Sequence, residues 1–308
     1  MKNIITESKL TILGCGAAVP SLLRYNTAQI LEMGDKTFLL DCGEGTQWQL
    51  LKSKISAFKI DIIFISHLHG DHYLGLPGLL NTLSLIGRKE KLKIFGPKGI
   101  KKIIYSNINI IPGFPTYELE INELTATKKR KIYKIDEIEV FAIPLQHRIM
   151  CFGYHFDYKI SSLNIIKEKF EKSNLPSEAA RVFKTGNNFL FNNIEYNYKN
   201  FTISKKIRHT YSYITDTLFM PEISSYIKNT KLLYHESTYM NNLLDKAKKT
   251  YHSTSLQAAE FAKLCNAGRL ILGHFSSRYA DTEEMLAEAK SVFENTETAH
   301  DGKEFIIK

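Results

Sequence analysis

The sequence predicts an α/β fold in which a β-sheet carries helices on its outer side. Short apolar segments rich in β-branched residues alternate with amphipathic segments long enough to form helices. Several apolar segments end in a histidine or an aspartate, at Asp41, at 67–72, at His147, at Asp216 and at His274. Open sheets place ligand sites in the crevice beyond their strand ends, so we expect these side chains to meet in one place.

The composition is that of an ordinary globular protein. The 308 residues include 44% hydrophobic and 24% charged residues, enough to bury a core in one large domain or two modest ones. No apolar run approaches the roughly 20 residues of a membrane helix, and the charged N-terminus lacks the apolar core of a signal peptide. The four cysteines lie far apart, which argues against a disulfide framework and suits a reducing compartment. We therefore expect a cytoplasmic protein without a membrane segment.

The net charge says more about binding partners than the rest of the composition does. A formal charge of +9 and a pI near 9.1 favour polyanionic partners, either nucleic acid or an anionic membrane surface. The alternative is a general enrichment in lysine, as in proteins from AT-rich genomes, which the many isoleucine and asparagine residues also fit. Charge alone leaves both interpretations open.

The first part of the chain predicts closely spaced strands followed by a helix. An apolar strand at 10–13 runs into Gly14-Cys-Gly16, which lacks the third glycine of a dinucleotide fingerprint and is typical of a turn. Strands at 28–32 and 36–40 form a hairpin around Gly34 and Asp35, and a helix covers 47–53.

A cluster of histidines follows the apolar run at 60–65, which predicts a buried strand. His67, His69, Asp71 and His72 lie around a single glycine. Three imidazoles and one carboxylate are the donor set that zinc or a similar divalent metal takes. The alternative is a polar loop whose histidines only form hydrogen bonds, but three histidines in so short a window rarely occur by chance. The cluster therefore predicts a metal site.

Further strands and helices are expected in sequence after the histidines. The predicted strands are at 92–95, 138–143, 152–156, 211–215, 231–234 and 269–272. The predicted helices are at 79–86, 99–107, 256–265 and 282–293, the last with Thr282 as its N-cap.

Residues 157–208 differ in character from the rest of the chain. They hold ten Lys and Arg against five Asp and Glu, with broken periodicity and an asparagine-rich patch. A short helix is expected near 165–172. Because no linker composition indicates a separate domain, we interpret 1–308 as a single domain with a basic inserted arm at 157–208.

Among the residues at the predicted strand ends, we count five histidines and two aspartates as candidate metal ligands. This is too many for one tetrahedral zinc but enough for two ions, which together can clamp a phosphate during in-line attack.

In this order the motifs resemble the metallo-β-lactamase superfamily and, within it, the ribonuclease Z family. Ser-His-Leu-His-Gly-Asp-His at 66–72 indicates only the superfamily, whose members also hydrolyse thioesters, lactams and sulfate esters. His-Glu-Ser-Thr at 235–238 followed by His-Ser-Thr at 252–254 narrows the match to this family. Further segments follow in the family's order: 38–47, 75–80, 95–97, 215–217 and 273–279.

The resemblance implies a metallo-β-lactamase αββα sandwich with an inserted flexible arm. It implies a zinc-dependent endoribonuclease that removes the 3′ trailer from precursor tRNA by attack of a metal-bridging hydroxide on the phosphodiester. The tRNA would keep a 3′-hydroxyl and the trailer a 5′-phosphate. Two Zn²⁺ per subunit, with Mn²⁺ as an alternative, and a homodimer whose arm grips the tRNA elbow are also implied.

The resemblance further assigns roles to individual residues. The ligands would be His67, His69 and His147 for one ion, Asp71, His72 and His274 for the other, and Asp216 for both. Asp71 would also accept a proton from the attacking water, and His252, oriented by Glu236, would donate one to the leaving ribose oxygen. Asp41 would orient a histidine ligand.

Other polar residues receive weaker assignments. Four side chains could grip phosphates near the scissile bond: Arg24, Asn26, Ser276 and Arg278. A surface ion pair is an equal alternative for the two arginines, and a loop histidine held by hydrogen bonds is the alternative for His252. The histidines at 155, 209, 235 and 300 are expected to be structural.

Two departures from the family pattern and two other hypotheses remain. The arm reads Leu-Pro-Ser-Glu-Ala-Ala at 175–180 where a glycine-proline turn is usual, and Ser237 replaces alanine. The protein could instead be a related hydrolase of small phosphodiesters or sulfate esters. It could also be an inactive RNA-binding protein, although the complete ligand set argues against lost catalysis.

Overall fold

Two seven-stranded sheets pack face to face in the computed structural model, which describes residues 7–108 and 115–308. Helices cover the outer face of each sheet, so the layers are helix, sheet, sheet and helix. This arrangement confirms the predicted αββα sandwich.

The first sheet combines an antiparallel and a parallel half. Its strands in spatial order are β16 (Glu304–Ile307), β1 (Ser8–Gly14), β2 (Ala28–Met33), β3 (Lys36–Leu40), β4 (Ile62–Phe64), β5 (Leu92–Pro97) and β6 (Leu119–Leu124). The strands from β16 to β3 are antiparallel to their neighbours, whereas β3 to β6 are parallel.

The second sheet repeats this division. Its strands in spatial order are β15 (Thr296–Thr298), β14 (Leu270–Gly273), β13 (Leu232–Glu236), β12 (Thr202–Ile214), β9 (Cys151–Ile165), β8 (Ile138–Leu145) and β7 (Arg130–Ile135). The strands β12 to β15 are parallel, and β12, β9, β8 and β7 are antiparallel.

The helices are short and lie outside the sheets or in loops. They are α1 (Thr46–Lys52), α2 (Gly70–Tyr73), α3 (Leu76–Leu85), α4 (Ile100–Ile108), α5 (Lys167–Glu171), α6 (Ser177–Lys184), α7 (Leu244–Thr250), α8 (Ser255–Leu264) and α9 (Glu283–Lys290). Helices α1, α3 and α4 cover the first sheet, and α8 and α9 cover the second. Among the described residues, no helix combines the length and the apolar character needed to cross a membrane.

Alternation along the strands sorts side chains between two apolar layers. On β3, Phe38 and Leu40 face the space between the sheets, while Leu39 faces the outer helices. Aromatic rings fill the inner layer, with the centroids of Phe38 and Phe156 5.2 Å apart. Each such buried side chain stabilises the fold by roughly 1.5–3 kcal/mol, so this layer holds the two sheets together.

One edge of the sandwich collects the ends of the parallel strands. Strands β3 and β4 of the first sheet and β12, β13 and β14 of the second end there, and β8 runs in the direction of β12. At this edge the sheets are joined directly, because the amide of Phe152 donates to the carbonyl of Ser66 at 3.0 Å. The loops that follow these strands therefore lie close together.

The arm is a two-stranded extension of the second sheet. Pairing of β8 with β9 ends at Tyr158, whereas β9 and β12 stay paired as far as Ile165 and Thr202. Helices α5 and α6 and a small hairpin of β10 (Phe189–Phe191) and β11 (Ile194–Tyr196) cap the extension. Phe183 lies at the centre of a separate apolar cluster in this tip.

Several predicted boundaries were wrong. Strands β9 and β12 run far beyond 152–156 and 211–215, because they support each other in the arm where the sequence is polar. The last predicted helix ends at Lys290, and the side chain of Thr282 makes no capping hydrogen bond. The short helix α2 and the edge strand β16 were not predicted at all, since neither is long enough to show periodicity.

Candidate metal centre

The loops at the common strand edge bring seven metal-capable side chains together. His67 follows β4, and the single turn of α2 turns Asp71 and His72 toward the same point. His147 follows β8, Asp216 follows β12 and His274 follows β14. The ligand atoms form groups in which all members lie within 4.8 Å of one another.

The first group consists of three histidines and one aspartate. His67 Nε2 lies 3.0 Å from His69 Nδ1, and His147 Nε2 lies 3.2 Å from the same atom. Asp216 Oδ2 is 3.6 Å from His67 Nε2 and 3.8 Å from His147 Nε2. Four donor atoms therefore converge as a tetrahedral site requires.

The second group consists of Asp71, His72 and His274, and the other oxygen of Asp216 lies beside it. His72 Nε2 and His274 Nε2 are 3.2 Å apart, and Asp216 Oδ1 lies 3.4 and 3.2 Å from them. Asp71 Oδ2 is 3.4 Å from His72 Nε2 and 3.5 Å from His274 Nε2. Asp216 therefore presents one carboxylate oxygen to each group and is shared between them.

Hydrogen bonds on the second ring nitrogen orient four of the five histidines. The pairs are His67 Nδ1 with Ser66 Oγ (3.0 Å), His72 Nδ1 with Asp41 Oδ2 (2.7 Å), His147 Nδ1 with the Tyr251 carbonyl (2.9 Å) and His274 Nδ1 with Thr238 Oγ1 (2.9 Å). Such partners leave Nε2 free to bind metal and fix the ring plane.

Asp41 is the most heavily bonded of these partners. Its carboxylate accepts from the amide of Ser66 at 2.6 Å, from Ser66 Oγ at 2.8 Å and from the hydroxyl of Tyr213 at 2.6 Å, besides its contact with His72. Asp41 is fully buried and has a positive φ of 54°. These contacts lock the carboxylate against the imidazole that it orients.

The electrostatics of the cluster differ from one histidine to another. Burial lowers the pKa of His72, but the carboxylates of Asp216, Asp71 and Asp41 outweigh it and hold this pKa well above its usual value. Burial and the neighbouring histidines hold the pKa of His67 well below its usual value. Burial opposes ionisation of Asp216, but the surrounding imidazoles outweigh it and hold its pKa well below the usual range. Mixed nitrogen and oxygen donors of this kind fit zinc and related divalent metals.

His252 and Glu236 form a hydrogen-bonded pair beside the two groups. His252 Nδ1 lies 2.9 Å from Glu236 Oε1. The buried Glu236 also accepts from the amides of Thr217 and Thr238 at 3.0 and 3.1 Å. Burial lowers the pKa of His252, but the charge and hydrogen bond of Glu236 outweigh it and raise this pKa to about 9. Glu236 therefore favours the protonated imidazole, which can donate a proton.

A cavity of about 550 Å³ opens over the cluster. It is lined by several predicted ligands, by His252, and by an apolar segment at 17–20. The amide of Ala18, which has a positive φ of 61°, donates to Asp71 Oδ2 at 2.7 Å. Sequence reasoning missed this contact because a backbone donor leaves no signal in the residue types.

The predicted phosphate-binding residues divide into two groups. Asn26 and Ser276 line the cavity, and Arg278 donates to Ser276 Oγ at 3.0 Å. Arg24 does not line this cavity, and its guanidinium donates to the carbonyls of Tyr279 and Ala280 at 2.7 and 3.3 Å. Phosphate binding by these four residues stays a prediction. Within the described residues neither arginine forms an ion pair, so the alternative of a surface ion pair is not seen.

The four remaining histidines bind polar groups outside the cluster. The partners are Ser212 for His155, Ser8 for His209, the Glu236 carbonyl for His235 and Thr298 for His300. Thr238 was not predicted as a site residue, although its hydroxyl contacts Glu236, His252 and His274. The Thr of the His-Glu-Ser-Thr motif was the signal that could have found it.

Known proteins resemble this chain over nearly its whole length. It is 37% identical over 289 residues to ribonuclease Z of Bacteroides fragilis, covering 94% of this chain and 95% of that protein. It is 40% identical over 302 residues to ribonuclease Z of Cytophaga hutchinsonii, covering 98% and 96%. The crystal structure of the short form of human tRNase Z aligns with a TM-score of 0.71 and 28% identity, covering 96% of this chain and 98% of that one.

Two further matches concern the fold and the first half of the chain. The metallo-β-lactamase fold protein YhfI of Bacillus subtilis aligns with a TM-score of 0.69 and 18% identity, covering 97% and 99% of the two chains. A family model described as anti-Pycsar protein Apyc1 matches residues 8–162. That match ends in the base of the arm and leaves out Asp216, His252 and His274, whereas the ribonuclease Z relatives cover them. The chain therefore belongs to the ribonuclease Z family and has the metallo-β-lactamase fold.

Proposed function

We propose that this protein is an endoribonuclease that removes the 3′ trailer from precursor tRNA. The observation that carries the proposal is the complete seven-residue cluster beside the pair of His252 and Glu236, on a chain that also bears a basic arm. The relatives named ribonuclease Z and human tRNase Z support the tRNA substrate. The products are a tRNA with a 3′-hydroxyl and a trailer with a 5′-phosphate.

Two divalent cations per subunit complete the site in this proposal, with zinc preferred and Mn²⁺ as an alternative. His67, His69 and His147 would hold one, Asp71, His72 and His274 the other, and Asp216 both. Bound at these residues, the ions supply Lewis-acid activation of water and neutralise charge on the phosphodiester.

The protein's own groups handle the protons. Asp71, fixed by the amide of Ala18, accepts a proton from the attacking water as its oxygen bonds to phosphorus. The bond from phosphorus to the ribose 3′-oxygen breaks, and His252 donates the proton that this oxygen needs. Glu236 holds the ring of His252 and stabilises its protonated form.

The arm supplies the recognition of tRNA in this proposal. Its ten Lys and Arg outnumber five Asp and Glu, and it projects from the sandwich as a hairpin with its own apolar cluster. Contacts of lysine and arginine with phosphates position a nucleic acid without reading its sequence, so we propose that the tip binds the tRNA elbow. Binding should weaken steeply as salt rises.

We further propose a cytoplasmic homodimer. Four large apolar side chains are exposed on α1 and at the end of α3: Trp48 (65%), Leu51 (70%), Leu85 (78%) and Ile86 (51%). Exposed apolar side chains on two helices that contact each other fit a symmetric contact with a second copy. All four cysteines are buried and free, as suits a reducing compartment.

Cleavage of a 5′-matured, 3′-extended precursor tRNA tests the proposal, with the product ends mapped for wild type and Asp216→Ala. A single cut near the discriminator base, lost in the variant, is the expected result. An uncut precursor alongside active hydrolysis of a small phosphodiester would keep the metal centre but discard the tRNA substrate. Absence of bound zinc and manganese in the purified protein would instead favour an inactive RNA-binding protein.

A further inference from the structure

Three cationic side chains lie beside the cavity near His252, and a fourth cationic residue, Lys249, follows about one turn after Lys246 on α7. Arg148 lines the cavity, and its Nη2 donates to the carbonyl of Lys249 at 3.4 Å. Lys246 Nζ and Arg278 Cζ lie 6.0 and 5.0 Å from the ring centroid of Tyr239, which also lines the cavity. We call Arg148, Lys246, Lys249 and Arg278 the cationic rim.

The cationic rim has no acidic partner of its own. Within 7–108 and 115–308, none of its four side chains lies within 4.0 Å of a carboxylate, although many other lysines do, such as Lys131 with Glu139 at 3.0 Å. Asp245 is the only acidic residue in 239–252. Exposed cations held together without counter-charges create a positive potential that attracts a polyanion.

The cationic rim lies next to His252, the residue that we propose as proton donor. Tyr251, with a positive φ of 60°, ends α7 and leads directly into His252, and its carbonyl is bonded by His147 Nδ1. The ring centroids of Tyr239 and His252 are 6.1 Å apart. The rim and His252 therefore occupy the same side of the cavity.

The chemistry of the proposed reaction indicates which part of the RNA lies beside the cationic rim. The oxygen that takes the proton from His252 is the 3′-oxygen of the last nucleotide that the tRNA keeps, while the phosphate leaves with the trailer. The retained nucleotide must therefore approach from the side of His252. We infer that the cationic rim binds the backbone phosphates of the retained strand, in the acceptor stem, and not those of the trailer. This inference rests on the proposed function.

Binding of trimmed tRNA, which has no trailer and cannot be cut, tests the inference directly. We compare wild type with the double variant Lys246→Ala/Lys249→Ala by fluorescence anisotropy at several salt concentrations. Loss of two phosphate contacts should weaken binding about tenfold or more and lower the slope of log K against log salt by roughly 1.4 to 1.8. Binding of a free trailer oligonucleotide should not change.

The matched control removes two lysines from the helices that cover the second sheet. Lys263 on α8 and Lys290 on α9 are exposed and equally lack a carboxylate partner among the described residues, so Lys263→Ala/Lys290→Ala should bind trimmed tRNA as wild type does. Unfolding temperatures establish that both variants fold.

Two results would overturn the assignment of the rim. One is equal affinity of the rim variant and wild type for trimmed tRNA, and the other is a loss confined to the trailer oligonucleotide. Failure of the proposed function has a different signature, since wild type would then leave precursor tRNA uncut. In that case the affinities of the rim variant and wild type are compared for an RNA hairpin that contains the acceptor-stem duplex.

Discussion

At the scale of single residues, the site depends on pairs in which one side chain orients another. Asp41 holds His72, Thr238 holds His274, and Glu236 holds His252, each through Nδ1. Partners of this kind typically change metal affinity or activity 10- to 100-fold when lost, although they touch neither metal nor substrate. The surrounding hydrogen-bond partners thus fix the orientation of the histidine rings in the site.

The proton donor can be tested through the leaving group. His252→Ala should slow cleavage of an RNA phosphodiester by about 10²- to 10⁴-fold, because the ribose oxygen then leaves without a proton. Hydrolysis of bis(p-nitrophenyl) phosphate at mildly alkaline pH should fall much less, since p-nitrophenolate is stable as an anion. Steady-state rates on both substrates provide the measurement. An equal loss on both would assign His252 to another role.

The buried His155 should make the stability of the folded protein depend on pH. Its side chain is 3% exposed, and burial, helped by the positive charges of Lys129 and Arg208, lowers its pKa to about 3. The unfolded chain binds a proton near pH 6.5, whereas the folded one does not, so stability is full above pH 6.5 and declines below it.

The variant His155→Gln keeps a polar side chain but cannot titrate. Between pH 7.5 and pH 5, wild type should lose about 2 kcal/mol more free energy of unfolding than this variant. Urea unfolding at both pH values measures the difference. The same decline in both proteins would show that His155 does not contribute to the acid sensitivity.

At the scale of elements, the arm is stabilised by contacts of its own. The ring of Phe183 stacks on that of Phe201 with a centroid distance of 5.0 Å, and Phe170 and Phe189 pack around it. The turn between β10 and β11 has positive φ at Asn192 and Asn193, as a two-residue hairpin turn requires. The arm can therefore change without disturbing the core of the sandwich.

The register of β9 and β12 shows where the arm can be removed. Ile160 and Ile207 are directly paired, so replacing 161–206 with Asn-Gly should close the hairpin cleanly. We expect the shortened protein to hydrolyse small diesters like wild type, but to cleave precursor tRNA at least about 100-fold more slowly, because the phosphate contacts of the arm are lost.

Phe183→Ala and a charge reversal in the arm serve as milder controls. Opening the arm cluster or reversing its charge should weaken tRNA binding and spare small diesters. If arm removal lowers both activities equally, the arm supports the core and is not a separate tRNA-binding element. If it lowers neither, the hypothesis of a small-diester hydrolase is favoured.

At the scale of the whole molecule, the metal-capable cluster joins the two sheets. His67, His69, Asp71 and His72 follow a strand of the first sheet, whereas His147, Asp216 and His274 follow strands of the second. Metal that binds only the folded state stabilises it by mass action, so each ion should act as a clamp between the sheets.

Chelation therefore should destabilise the whole protein. Removing metal with EDTA should lower the unfolding temperature by several degrees, and adding zinc or manganese should restore it. Differential scanning calorimetry with metal analysis of the same samples measures both. Asp216→Ala, which lacks the shared carboxylate, should respond little to either treatment. An unchanged unfolding temperature after verified metal removal would contradict the clamp.

The sequence by itself determined the fold class and the residues that meet at the strand edge. Strand ends and ligand types are local properties of the sequence. Apolar runs predict strands, and imidazole and carboxylate groups can bind metal wherever they lie in the chain. The same reasoning located Asp41, Asp216 and His274 without any knowledge of their distances.

Only the tertiary structure decided how these groups face one another. The guanidinium of Arg24 donates to a backbone carbonyl, and the amide of Ala18 donates to Asp71. Asp216 presents one oxygen to each metal-capable group. The tertiary structure also set the length of β9 and β12 and gathered the cationic rim from separate segments. These outcomes depend on contacts between residues far apart in the chain, which no local pattern of residue types can specify.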